Sequence, residues 1–152
     1  MTTMTAEEIE RFVKEVVHYA PAVAERAPLI KRIVERLVAS ELEVSTRFDI
    51  PASSVERPLD GSNGGHVRLN PTVGADCLWD LAHEAGHLGE PAEKCDAVEQ
   101  LRREEAAWDE GWALLMREDP TLASSRTSYE KRRDYCLRCY RKAAAQQLAG
   151  TS

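Results

Sequence analysis

The run His83-Glu84-Ala85-Gly86-His87 limits this chain more than any other stretch. It is an instance of H-E-x-x-H. On a helix, residues four apart share one face, so both imidazoles can point at one ion. Glu84 stands beside them, within reach of a water on that ion. This is the metal half of a zinc hydrolase, with the glutamate as general base. The plainer alternative is two helix histidines and a surface glutamate. Two conditions separate the readings: the motif must lie on a helix, and a neighbouring element must supply a third ligand.

The flanking sequence meets the first condition. Thr5 caps an opening helix with Glu8 as its capping-box partner, and Ile9, Phe12, Val13, Val16 and Val17 give it an apolar stripe. Pro21 ends it. A second helix is expected over 28–39. Residues 42–50 alternate like a strand, residues 51–64 read as loop, and 66–69 as a second strand closed by Asn70-Pro71. The two strands are expected to pair as antiparallel neighbours. Thr72 or Asp76 then opens a helix with Leu78, Leu81, Ala82, Ala85 and Leu88 on its apolar side, and the motif lies on it. Gly86 costs roughly 1 kcal/mol of helix propensity relative to alanine, and a small residue there lets another element approach closely. Gly89 and Pro91 stop the helix. A long helix is expected from Ala92 or Asp96 to Arg117, and a last one over 128–148.

For the second condition, a hydrolytic zinc has three protein ligands and one open position. Glu104 and Glu105 stand on the long helix, beyond the break at Gly89-Glu90-Pro91, where the chain can reverse. Either could face the histidines. Glu105 is the favoured ligand, because Asp109 lies one turn on and can accept the outer N–H of a ligand histidine.

In this form the arrangement resembles the glutamate-zincin metallopeptidases, with H-E-x-x-H and a later E-x-x-x-D: His83-Glu84-x-x-His87, then Glu105-Ala106-Ala107-Trp108-Asp109. The Leu69-Asn70-Pro71 ending and the run from Trp79 to His87 resemble the small intracellular ImmA/IrrE-like metallopeptidases, which accompany phage and mobile elements or regulate repressors. The resemblance covers about residues 65–115. It departs at Glu105-Ala106-Ala107-Trp108, where that family has Glu-x-x-Ala followed by asparagine or aspartate. The resemblance implies an α+β, minimal zincin-like domain, mostly helical, with a small antiparallel or mixed sheet beside the motif helix. It also implies Zn2+ as the metal. Val67 to Leu69 would offer a free strand edge to substrate. For the oxyanion, Tyr129 and Tyr135 on the last helix and His66 on the second strand are the candidates.

Composition fits a single domain over the 152 residues, with 43% hydrophobic and 30% charged residues. A formal charge of -6 argues against a nucleic-acid binder. No apolar run reaches membrane-spanning length, and the acidic start lacks a signal-peptide core, so a cytoplasmic setting with reduced thiols is expected. Cys136-x-x-Cys139 has no second pair to complete a zinc knuckle, and two helix thiols near the core are the expected reading. Residues 76–119 hold thirteen acids against four bases, which would favour a basic peptide. Between Arg126 and Lys142 there are seven bases and two acids, read as a solvated face. The sequence therefore points to zinc-dependent peptide hydrolysis of a peptide or protein, with a repressor-type regulator among the candidate substrates. The alternative is a non-catalytic, metal-containing regulatory or protein-binding module.

Overall fold

A computed structural model of the chain describes residues 4–58, 64–91 and 93–150. The turn residues Gly61, Ser62 and Asn63, and Ala92 as a helix start, lie outside the described residues. The elements are α1 (Ala6–Tyr19), α2 (Ala27–Ala39), β1 (Glu43–Thr46), β2 (Ser54–Glu56), β3 (His66–Leu69), α3 (Asp76–Gly86), α4 (Ala97–Glu118) and α5 (Arg126–Gly150). Short 3-10 turns at Pro21, Pro71 and Pro120 introduce α2, α3 and α5. The chain is mostly helical with a small mixed sheet, a minimal zincin-like α+β architecture. None of the described helices is long and apolar enough to cross a membrane.

The first two helices form a scaffold. Thr5 closes a capping box with Glu8, satisfying two otherwise orphaned backbone donors. Ile9, Phe12, Val13 and Val16 of α1 and Ile30, Ile33, Val34 and Leu37 of α2 are buried in a shared core. Each such side chain contributes about 1.5–3 kcal/mol by leaving water.

The sheet differs from the expected hairpin in two ways. β1 pairs with β3 in parallel, Val44 opposite Val67, and β2 pairs with β3 antiparallel, Val55 opposite Val67. The order is β1-β3-β2, so β3 is the central strand and has no free edge. β2 falls in the stretch expected to be loop. Three residues are too short to show alternation, and its pairing is set by β3 rather than by its own pattern.

The crossing of α3 and α4 positions the site. A Cβ on Gly86 would stand 2.0 Å from the Ala107 carbonyl oxygen, and one on Gly111 would stand 2.8 Å from that of Ala82. Glycine at both points lets the two backbones touch. The face of α4 turned to α3 carries Glu104, Ala107, Trp108, Gly111, Leu114 and Leu115, all buried.

α5 closes the far side. Arg132 reaches Asp80 of α3 through two hydrogen bonds of 2.8 Å and donates to the Pro51 carbonyl at 3.0 Å. Both charges are withdrawn from water, at 8% and 0% exposure. One guanidinium thus ties α5, α3 and the segment before β2 together.

Candidate metal centre

His83 lies in the last turn of α3 and His87 is its C-cap residue. Their Nε2 atoms are 3.0 Å apart. Glu104 brings its Oε2 to 2.7 Å from His83 Nε2 and 3.2 Å from His87 Nε2. All three residues are buried. A tetrahedral zinc with bonds near 2.0–2.1 Å spaces its donors about 3.3 Å apart, so a small outward movement fits an ion among these three atoms. Two ring nitrogens and a carboxylate oxygen facing one another is the donor set a divalent cation needs.

Glu105, expected as the third ligand, is exposed, and so is Asp109. The phase of α4 decides this. Glu104 is one turn before Trp108 and two before Gly111, on the stripe that packs against α3. Glu105 is rotated about 100° from it, toward solvent. With Glu104 as the donor, the residue four further on is Trp108, not an acid. Its ring lies flat on the His83 imidazole, centroids 4.4 Å apart and planes 8° apart. The expected outer carboxylate is supplied instead by Glu90, which binds His87 Nδ1. Arg57 donates to the His87 and Glu90 carbonyls, each at 3.2 Å, and fixes that corner.

Glu84 is buried behind His83. Its Oε1 accepts from Ser53 Oγ at 2.6 Å and lies 3.3 Å from His83 Nδ1. Its Oε2 is buried with no hydrogen-bond partner. Such an orphaned carboxylate oxygen is costly unless a ligand or water meets it.

Electrostatics keep the cluster charged. Burial alone would lower the His87 pKa, but the Glu104 and Glu90 carboxylates overcome it and hold the pKa at about 10. For His83 too, burial opposes and the Glu84 and Glu104 carboxylates prevail, so its pKa is raised. For Glu104 and Glu84, burial pushes upward and the two imidazoles outweigh it, so both carboxylates are held below their usual range.

Two expected helpers are elsewhere. Tyr129 is in the core at 1% exposure, its hydroxyl donating to the Trp108 carbonyl, with Trp79 and Trp112 packed around its ring. His66 is hydrogen-bonded to Ser45 Oγ at 2.7 Å, between β3 and β1. Neither lines the cleft at the metal centre. Tyr135 is on the exposed face of α5. The tyrosine that does line the cleft is Tyr140, whose pKa is raised by burial and, less, by the Glu104 carboxylate. Sequence reasoning missed Glu90, Ser53 and Tyr140. Glu90 alone had a local signal, three residues after His87.

The His83-Glu84-x-x-His87 motif with a distal Glu104 is an arrangement typical of glutamate-zincin-like metallopeptidases. No known family model matches the chain, and no curated protein or solved structure matches it. The residues themselves therefore carry the functional argument. They form a buried His/His/Glu cluster able to hold a catalytic metal at the floor of a cleft of about 500 Å³.

Proposed function

We propose that the protein is a cytoplasmic zinc metallopeptidase of the ImmA/IrrE-like kind, one domain over residues 1–152, that hydrolyses a peptide bond in a peptide or protein substrate. The observation that carries this is the meeting of His83 Nε2, His87 Nε2 and Glu104 Oε2 in a cleft that Glu84 also lines. Two imidazoles and a carboxylate, leaving one position open, is the donor set of a hydrolytic rather than a structural zinc.

Zinc bound there supplies Lewis acidity and lowers the pKa of its water toward neutrality. The chain's own residues do the rest. Ser53 holds Glu84 through Oε1, leaving Oε2 to take a proton from the water and hand it to the leaving amine. Glu84 is ionised near neutral pH, as a base must be, because the histidines overcome the effect of its burial. Glu90 holds His87 in the ring orientation that turns Nε2 inward, and Trp108 does the same for His83 by stacking. Tyr140 offers a hydroxyl at the cleft for the developing oxyanion. The outer edge of β2 has no strand partner among the described residues, and Ser53 to Arg57 line the cleft. A substrate peptide can add there as a further strand.

The test combines metal analysis with substrate processing. Protein purified without added zinc should carry about one equivalent, and H83A should remove it. E84Q should keep the metal and lose cleavage. A partner processed as well by E84Q as by the native chain overturns the hydrolytic mechanism.

A further inference from the structure

Two cavities meet at the candidate metal centre. The cleft already described is polar and of mixed charge, with Glu56, Glu90 and Glu93 but also Arg57, Lys94 and Arg103 among its lining residues. A second cavity of about 520 Å³ adjoins it and shares Ser53, His83 and Tyr140 with it. Its walls are Pro51 and Ala52 from the segment before β2 and Tyr135, Cys136 and Cys139 from α5. Burial pushes the Cys136 thiol up to about 12, so the Cys-x-x-Cys pair contributes a neutral wall and no anion from Cys136 at pH 7.

The second cavity differs in charge from its neighbour, whose walls carry both signs. No carboxylate lines it, and its charged groups are Arg138 and Lys142, one turn apart on α5. Neither makes an ion pair among the described residues, whereas Arg132, Arg133 and Arg141 of the same helix are all paired. Arg138 rests over the Tyr135 ring, 5.6 Å from its centroid. In a chain of net charge -6, a carboxylate-free cavity with two unpaired cations beside the metal ligands is a selective surface.

We propose that this second cavity is the side-chain subsite that sets which peptide is cut: it takes a large apolar residue flanking the scissile bond, followed by an acidic side chain that meets Arg138 and Lys142. The proposal rests on the peptidase reading above. The apolar wall lies directly beside His83, which places the large side chain next to the reacting bond. Both cations stand on the exposed face of α5, so a chain that meets them continues into solvent, and the carboxylate is that of an internal residue rather than a chain end.

The test is binding, read by calorimetry on zinc-loaded E84Q protein. The probes are four blocked peptides. The first has phenylalanine followed by aspartate; the second has asparagine for the aspartate; the third has alanine for the phenylalanine. The fourth ends in a free carboxylate at the phenylalanine. The aspartate peptide should bind about three- to tenfold tighter than the asparagine peptide at low ionic strength. The alanine peptide should bind more weakly than either. R138Q/K142Q should erase the aspartate preference while leaving the circular dichroism unchanged. Salt at 1 M, about a 3 Å screening length, should erase it in the unaltered surface, which keeps the test valid if the double variant fails to fold. Equal binding of the aspartate and asparagine peptides overturns the proposal. So does a preference that survives both R138Q/K142Q and high salt, or tightest binding by the peptide with the free end. Zinc content and cleavage by the native protein are measured separately. Selective binding without cleavage removes the peptidase reading and leaves a peptide site, whereas cleavage without selectivity removes the subsite alone.

Discussion

Arg132 and Asp80 form a bidentate ion pair beneath the metal centre, with both hydrogen bonds at 2.8 Å. Asp80 lies one turn before His83 and Glu84 on α3, and its carbonyl also accepts from Ser53 Oγ at 3.3 Å. The pair therefore supports the segment that holds Glu84.

Removing one partner leaves a buried charge without compensation. R132M or D80N should cost about 3–5 kcal/mol of stability, measured by urea unfolding. A second effect should follow from geometry, since Arg132 also holds the Pro51 carbonyl. Zinc content of the folded fraction should stay near that of the native protein, while any cleavage rate falls as Ser53 loosens its hold on Glu84.

The two adjacent glutamates of α4 separate cleanly. E104Q should lower zinc affinity by a hundredfold or more, about 3 kcal/mol for a lost charged donor, as read by competition with a chelating dye. E105Q should change nothing in the same assay, because its side chain is exposed. The reverse result would return the third ligand to Glu105.

Gly86→Ala improves intrinsic helix propensity by roughly 1 kcal/mol, yet its methyl would meet the Ala107 carbonyl at 2.0 Å. Backbone must move to admit it. The net result should be destabilisation by about 2 kcal/mol or more together with loss of zinc, since separating α3 from α4 withdraws Glu104. Y129F is the contrasting case. It removes one core hydrogen bond to Trp108, costs about 1 kcal/mol, and should leave zinc affinity intact.

The pH dependence follows from the same cluster. Without metal, the raised pKa of His87, about 10, contributes stability that is fully present below the ordinary histidine value and fades as pH rises through 10. The lowered pKa of Glu104 contributes stability that is present above the ordinary glutamate value and fades as pH falls through its shifted one. The metal-free protein should be most stable between these limits. Zinc must displace the protons held there, so its apparent affinity should rise with pH until His87 loses its proton at about 10. Calorimetry in two buffers of different ionisation enthalpy should show net proton release.

Much of this site was legible before the fold. The motif helix, its termination near Gly89, the capping box at Thr5 and the close approach at Gly86 all follow from local pattern. What escaped the sequence was set by phase or by distant pairing. Glu105 looked better than Glu104 because Asp109 follows it, but the buried stripe through Trp108, Gly111 and Leu115 fixes the helix rotation and selects Glu104. That stripe was available from spacing alone. β2 could not be read, since Ser54 to Glu56 become a strand only by pairing with β3. Arg132 and Asp80, both inside otherwise apolar stripes and 52 residues apart, find each other only in the folded chain.

The flat stacking of Trp108 on His83 builds an optical reporter into the centre. An indole loses fluorescence to a protonated imidazole held against its face and regains it when that proton leaves. Ion capture at His83 is thereby written into the protein's own emission, and occupancy can be followed with no label attached.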